Sequence, residues 1–158
     1  MRITSSIEYA TRLMVALGRQ HGRATLSAEK LAASENVPAD YVNQLLLRLR
    51  RAGLVQSHRG TAGGYALSRP PTEVTLGQVV RAVEGKVFES VCEKYDGGKK
   101  DCHHQDGCGI SPVWARLGEL VESFFDGVTL DQLMAEAPGS CGKVAAMLEK
   151  IPAGTEKN

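Results

Sequence analysis

The sequence has no apolar run approaching the ~20 residues that a membrane-spanning helix needs, so no membrane partner is expected. Its opening, Met1-Arg2-Ile3-Thr4-Ser5-Ser6-Ile7-Glu8, places an acid early and lacks the long apolar core of a secretory signal. A cytoplasmic location is the resulting expectation. No two cysteines stand in the C-x2-C spacing that usually marks tetrahedral zinc. No internal repeat is visible, and no oxyanion or substrate motif accompanies the thiols. Net charge is also nearly missing: 19 basic and 18 acidic residues leave +1.

That balance argues against a nucleic-acid partner only if charge is spread evenly, and it is not. Residues 41–72 carry Arg48, Arg50, Arg51, Arg59 and Arg69 and no Asp or Glu. Screening limits the reach of a charge to about 8–10 Å, so a phosphate responds to this local block and not to the total. A solvated arginine face on an ordinary helix is the competing reading.

Apolar periodicity then divides the chain. Ile3, Ile7, Ala10, Met14 and Leu17 recur at helical spacing and predict a helix over residues 4–20, ended by Gly22. Ser27 is placed to cap a short helix reaching residue 34. A turn at Glu35-Asn36-Val37-Pro38 leads into a third helix over residues 39–52, with Leu45, Leu46 and Leu49 on its core face and Gly53 as its stop. Two short strands, residues 54–57 and 64–68, flank the glycine-rich His58-Arg59-Gly60-Thr61-Ala62-Gly63, a hairpin signal. Thr75 caps a helix that Gly85 closes. Ser111-Pro112 opens a strong helix to about residue 126, with Ser111 as N-cap. Val113, Leu117, Leu120, Val121 and Phe124 form one stripe, and Trp114 and Phe125 widen it to a second side. A helix apolar on two sides needs two partners, one of which can be another subunit. Thr129 starts a last short helix.

Three helices followed by a hairpin is the order of a winged helix-turn-helix, so the fold class is mainly α with a small β-hairpin wing and a long dimerisation helix. The N-terminal end of the third helix would enter the major groove. Asp40, Tyr41, Asn43 and Gln44 stand there and can hydrogen-bond base edges or phosphates. Arg48 lies further along, where phosphate contact or salt bridging is expected. The wing tip, His58-Arg59-Gly60, is basic and thin, and could place Arg59 in a narrow minor groove.

The remaining chemistry is thiol chemistry. Cys92, Cys102 and Cys108 lie within 17 residues, and Cys141 stands apart. In a chain expected in the cytosol this grouping points to metal or redox work and not to structural disulfides. The spacing Cys92-x9-Cys102-x5-Cys108 suits a loop wrapped round an iron–sulfur core. A zinc site recruiting His103 or His104 stays open, as does the plainer reading that some of these thiols are ordinary loop residues.

Taken together, Met1-Arg2-Ile3-Thr4-Ser5 with Tyr9-Ala10, Tyr41-Val42-Asn43-Gln44-Leu45 with Arg48-Leu49-Arg50, Gly53-Leu54-Val55, Arg59-Gly60, Gly63-Gly64-Tyr65, Trp114 and Val128-Thr129-Leu130 resemble the IscR/NsrR family of winged-helix repressors. The likeness covers about residues 1–135. It implies a homodimer, a double-stranded DNA operator, and a [2Fe–2S] or [4Fe–4S] cluster on Cys92, Cys102 and Cys108. The first gap is longer than is usual in the family. IscR-like proteins place a histidine ligand three residues after the last cysteine; here Ser111 stands in that place. NsrR-like proteins use an acidic residue of the other subunit, which maps to Glu8. His103, His104 and Cys141 are the alternatives for a fourth ligand.

The expected organisation is a DNA-binding domain over residues 1–85, a cluster-binding loop over 86–110, a dimerisation helix and short following helix over 111–136, and a flexible tail over 137–158. The expected function is a regulator, a repressor by the resemblance, whose operator binding follows the cluster. One rival is a metal-free switch in which Cys102 and Cys108 form a disulfide. A thiol enzyme built on Cys102 with His103 or His104 is remote, because neighbours in sequence rarely reach catalytic geometry.

Overall fold

A computed structural model describes residues 3–60, 63–89 and 108–135. Helix α1 (Ser5–Arg19) is capped by Thr4, whose Oγ1 accepts from the Ile7 amide at 3.3 Å. It buries Ala10, Leu13, Met14 and Leu17. Ile3 precedes the helix and is exposed, so the core stripe begins later than its periodicity suggests, and Leu13, outside the predicted stripe, is fully buried. Helix α2 (Ala28–Glu35) takes Ser27 as its cap, and Asn36 ends it in the left-handed region at φ 53°.

Helix α3 (Ala39–Arg51) buries Val42, Leu45, Leu46 and Leu49. It closes in a Schellman arrangement: the Gly53 amide donates to Arg50 O and the Leu54 amide to Leu49 O, both at 3.0 Å. Gly53 adopts φ 72°, which a residue with a Cβ resists. Leu54 is therefore spent on closing the helix, and the strand starts one residue later than its apolar pattern predicts. Strand β1 (Val55–His58) pairs antiparallel with β2 (Gly64–Leu67), with Val55 opposite Leu67 and His58 opposite Gly64. A further, isolated rung on the other edge of β2 comes from the α1–α2 connection, where Leu26 and Tyr65 exchange amide bonds at 3.0 and 2.8 Å.

That rung requires a bare Cα at Gly64. A Cβ there would lie 2.7 Å from Leu26 O and 2.8 Å from its carbonyl carbon. Both are backbone atoms with little room to yield. Gly64→Ala is expected to break the rung and cost about 1–3 kcal/mol. Urea titration should show a lower midpoint with an unchanged slope.

A 3-10 turn (Pro71–Glu73) leads to α4 (Leu76–Glu84), which opens with a capping box between Thr75 and Gln78. Helix α5 (Ser111–Gly127) begins one residue earlier than expected. Ser111 is inside it and is not the cap. Ile110 takes that place with no side-chain cap bond, and its carbonyl accepts from the amides of Val113 and Trp114 at 3.0 and 3.1 Å.

The C-terminal half of α5 lies on α4. Phe125 joins Val80 and Val87 in a small second core, with Ile7, Leu76, Val121 and Phe124 packed round it. Arg81 donates to Glu122 at 2.7 Å and also pairs with Asp126. Exposed pairs of this kind contribute little individually, so the apolar contact carries most of the docking. The chain then returns: the Leu76 amide donates to Val128 O and the Leu130 amide to Val74 O, each at 2.8 Å. Helix α6 (Leu130–Ala135) packs on α1, and Leu130 is 1% exposed within the main core. Among the described residues no helix is long and apolar enough to cross a membrane.

Candidate nucleic-acid interface and cysteine segment

At 100° per residue, burying Val42, Leu45, Leu46 and Leu49 turns the other side of α3 to solvent. Asp40, Asn43 and Gln44 are exposed there, as the sequence suggests. Tyr41 is half-buried on the edge of the helix. Its hydroxyl lies 2.9 Å from Ser6 Oγ, and its ring meets Tyr9 edge-on at 6.1 Å between centroids. Tyr41 therefore joins α3 to α1 as well as standing near the helix start.

Arg48 has a partner that its charge does not reveal. Its Nη1 donates to Val83 O at 2.9 Å, in the last turn of α4. A cation there satisfies an orphan carbonyl and complements the negative end of the helix. Arg50 reaches Ser57 on β1 at 3.4 Å. These arginines tie the recognition helix to the wing and to α4. His58, Arg59 and Gly60 are exposed at the wing tip, and Gly60 takes φ 106°.

Leu47 escaped the sequence reading. It is 37% exposed, on the same side of α3 as Gln44. Three leucines in a row hide which of them faces out. The helical angle from Asp40, Asn43 and Gln44 is the signal that could have found it.

Of the cysteines, Cys108 is described: a free, half-buried thiol two residues before Ile110. Cys92, Cys102 and Cys141 lie outside the described residues, as do His103 and His104. Glu8 is exposed on the first turn of α1, where its carboxylate pairs with Arg12. Its neighbour Ile7 packs on the Val80–Val87–Phe125 cluster, at the far end of α5 from Cys108. Phe125 lies fifteen residues beyond Ile110, about 22 Å of helix. Among the described residues no three His, Cys, Asp or Glu side chains gather round a common point.

One large apolar surface is left open. Ile110, Val113, Trp114, Leu117 and Leu120 are all exposed along α5. Val121, Phe124 and Phe125, which share the helix, turn inward. The two apolar sides expected of this helix are thus divided, one to the chain's own core and one to solvent.

The chain is 36% identical over 138 residues to the HTH-type transcriptional regulator IscR of Aliivibrio salmonicida, spanning 86% of this chain and 79% of that protein. It is 31% identical over 140 residues to the HTH-type transcriptional regulator CymR of Bacillus subtilis, spanning 88% and 94%. The solved structure of CymR (YrzC), the global cysteine regulator of B. subtilis, superposes with a TM-score of 0.69 at 29% identity, covering 87% of this chain and 99% of that one. The winged-helix architecture and the resemblance read from the sequence both stand on these likenesses. The model of the Rrf2 family, described as an iron-dependent transcriptional regulator, matches residues 3–136, and this chain belongs to that family of transcriptional regulators.

Proposed function

We propose that two copies of this chain pair through the open face of α5 and read a two-fold operator with α3 and the wing, under the control of an iron–sulfur cluster. The observation that carries the reading is the coincidence, among the described residues, of an exposed polar face on α3, a basic wing tip and an exposed apolar face on α5. Asp40, Asn43 and Gln44 take base edges. Tyr41, Arg48, His58, Arg59 and Gly60 take backbone and groove contacts.

Cys92, Cys102 and Cys108 would hold the cluster, with Glu8 of the other copy as fourth ligand. Two of these donors are described, and their chemistry supports the reading: Cys108 is a free thiol with access to solvent, and Glu8 is an exposed carboxylate whose partner Arg12 is equally exposed. Within one chain, Ile7 beside Glu8 packs at the Phe125 end of α5 while Cys108 precedes its start, which favours a ligand from across the dimer. What a cluster supplies when bound is an iron centre open to oxygen, nitric oxide or iron shortage, most so where a hard carboxylate completes a soft thiolate set. The protein's part is transmission. Cys108 stands three residues before the start of α5, Arg81 and Phe125 fix α5 to α4, and Arg48 fixes α4 to α3. A shift at the start of α5 is thereby passed to the reading heads, which must match half-sites about 34 Å apart.

Purification without oxygen tests the reading. Iron and sulfide should copurify with a visible chromophore, and operator affinity should change when the cluster is removed. A colourless protein that binds its operator equally well in both states would refute it. A second reading rests on Cys108 as a free thiol: Cys102 and Cys108 lose two protons and two electrons to an external oxidant such as peroxide and form a disulfide. Thiol titration before and after peroxide, with no chromophore at any stage, would favour that switch.

The DNA reading has its own check. Arg59→Ala is expected to weaken operator binding by about 1–3 kcal/mol at fixed salt, with the dimer and its melting unchanged because the side chain is exposed. Tyr41→Ala should weaken binding too, and should also lower stability through its lost contacts with Ser6 and Tyr9. A gel-shift titration separates the two effects when paired with thermal melts.

A further inference from the structure

We propose that Leu47 is a specificity-determining residue, resting against the C5 methyl group of one thymine in each half-site. The proposal rests on the DNA-reading role given to α3 above and names what one further side chain reads. Asp40, Asn43, Gln44 and Leu47 stand at i, i+3, i+4 and i+7, the spacing of one stripe along a groove-facing helix. The four buried residues of α3, Val42, Leu45, Leu46 and Leu49, lie on the opposite side. Leu47 therefore sits near the middle of the outward face, 37% exposed.

An apolar residue at that point lies outside the fold's main core cluster and has no polar atom for a phosphate or a base edge. The major groove offers one apolar feature, the thymine methyl. Charge favours one occupant of this face: Arg50 and Arg51 are exposed on the same helix, Asp40 at its start is the one acid on the stripe, and residues 41–72 contain no other. A polyanion fits that surface, whereas an apolar protein partner would have to cover the arginines. The leucine also stands on a different element from the open face of α5, so it is not an extension of that surface.

The test begins with selection of the preferred operator from a random duplex pool by the intact protein, purified without oxygen. Each thymine of the half-site is then replaced in turn by deoxyuridine, which removes only the methyl group. Wild type should lose affinity about four-fold per half-site at one position, the effect of one buried methyl, measured by fluorescence anisotropy at fixed salt. Leu47→Ala should bind thymine and uracil duplexes alike at that position, with its preference there relaxed on reselection, and Leu47→Met should keep the discrimination. An equal uracil penalty in wild type and Leu47→Ala, or no sensitive thymine, overturns the assignment. A selection that enriches no sequence overturns the DNA-reading role of α3 itself, and the assignment with it. Circular dichroism confirms that the exposed substitution leaves the fold intact.

Discussion

Aspartate at both Leu117 and Leu120 is expected to yield a folded chain that sediments as a monomer and loses tight operator binding. Both side chains are open to solvent in the single chain, at 38% and 41% exposure, so their replacement removes little from the protomer's own core. They lie at the centre of the stripe that runs from Ile110 through Val113 and Trp114. A contiguous apolar patch of this kind is rare on a protein that works alone. Burying a fully exposed leucine is worth about 1.5–3 kcal/mol, and these are already more than half covered, so four of them across a two-fold interface contribute roughly 2–5 kcal/mol. That is a large share of the ~8 kcal/mol that a micromolar dimer needs. The control is Phe124→Asp. Phe124 packs on the inner cluster with Phe125 and Val80, and a charge there should lower the melting temperature sharply and not simply separate the subunits. Sedimentation velocity and circular dichroism on both variants check the pair. A double aspartate variant that remains a dimer would place the interface elsewhere.

The elements of this fold were legible wherever a local rule decides them. Ser27 and Thr75 are the caps read from the sequence, and each hydroxyl accepts from an amide three residues on; Thr4 caps in the same way but falls inside the first helix as the sequence predicts it. Gly53 and the hairpin glycines are legible for the same reason. Ser111 was misleading: a serine before a proline has the composition of a helix start, but the carbonyl of Ile110 had already begun the turn. The contacts that position the candidate site were not legible, because each joins residues far apart in sequence. Arg48 meets Val83, and Tyr41 meets Ser6, each across 35 residues. The return of α6 onto α1 likewise depends on the Thr75–Thr129 bridge, which no periodicity encodes. Two apolar sides on α5 are expected from the sequence, but Val121 and Phe124, grouped with Val113, Leu117 and Leu120, turn inward, and Trp114, grouped with Phe125, faces out; that division depends on where α4 packs. Exposure of Asp40, Asn43, Gln44, Arg59 and Gly60 agrees with the sequence reading. Of the thiols, Cys108 alone falls within the described residues; Cys92, Cys102 and Cys141 lie outside them.

The cysteine substitutions carry the largest expected loss. Cys92→Ala, Cys102→Ala and Cys108→Ala should each abolish the visible chromophore in protein purified without oxygen. Iron–sulfur clusters are held by thiolates, and removing one of three leaves two soft donors, too few to retain the core through purification. Glu8→Ala should differ in degree. Three thiolates remain, so colour persists, but the iron left open exchanges faster and the chromophore decays several-fold sooner in air. Substitution at Glu8 also frees Arg12 from its ion pair, and that effect has to be separated. The pair is exposed on both sides and contributes little to folding, so Arg12→Ala in the same assay shows what loss of the pair alone does. Cys141→Ala should leave spectrum and decay unchanged. The distance along α5 between Ile110 and Phe125 makes a within-chain Glu8 ligand unfavourable, so the Glu8 effect should vanish in the Leu117→Asp, Leu120→Asp monomer. Glu8→Ala matching wild type in both spectrum and decay, while His103→Ala or His104→Ala does not, would move the fourth ligand into the loop and dissolve the bridge between subunits.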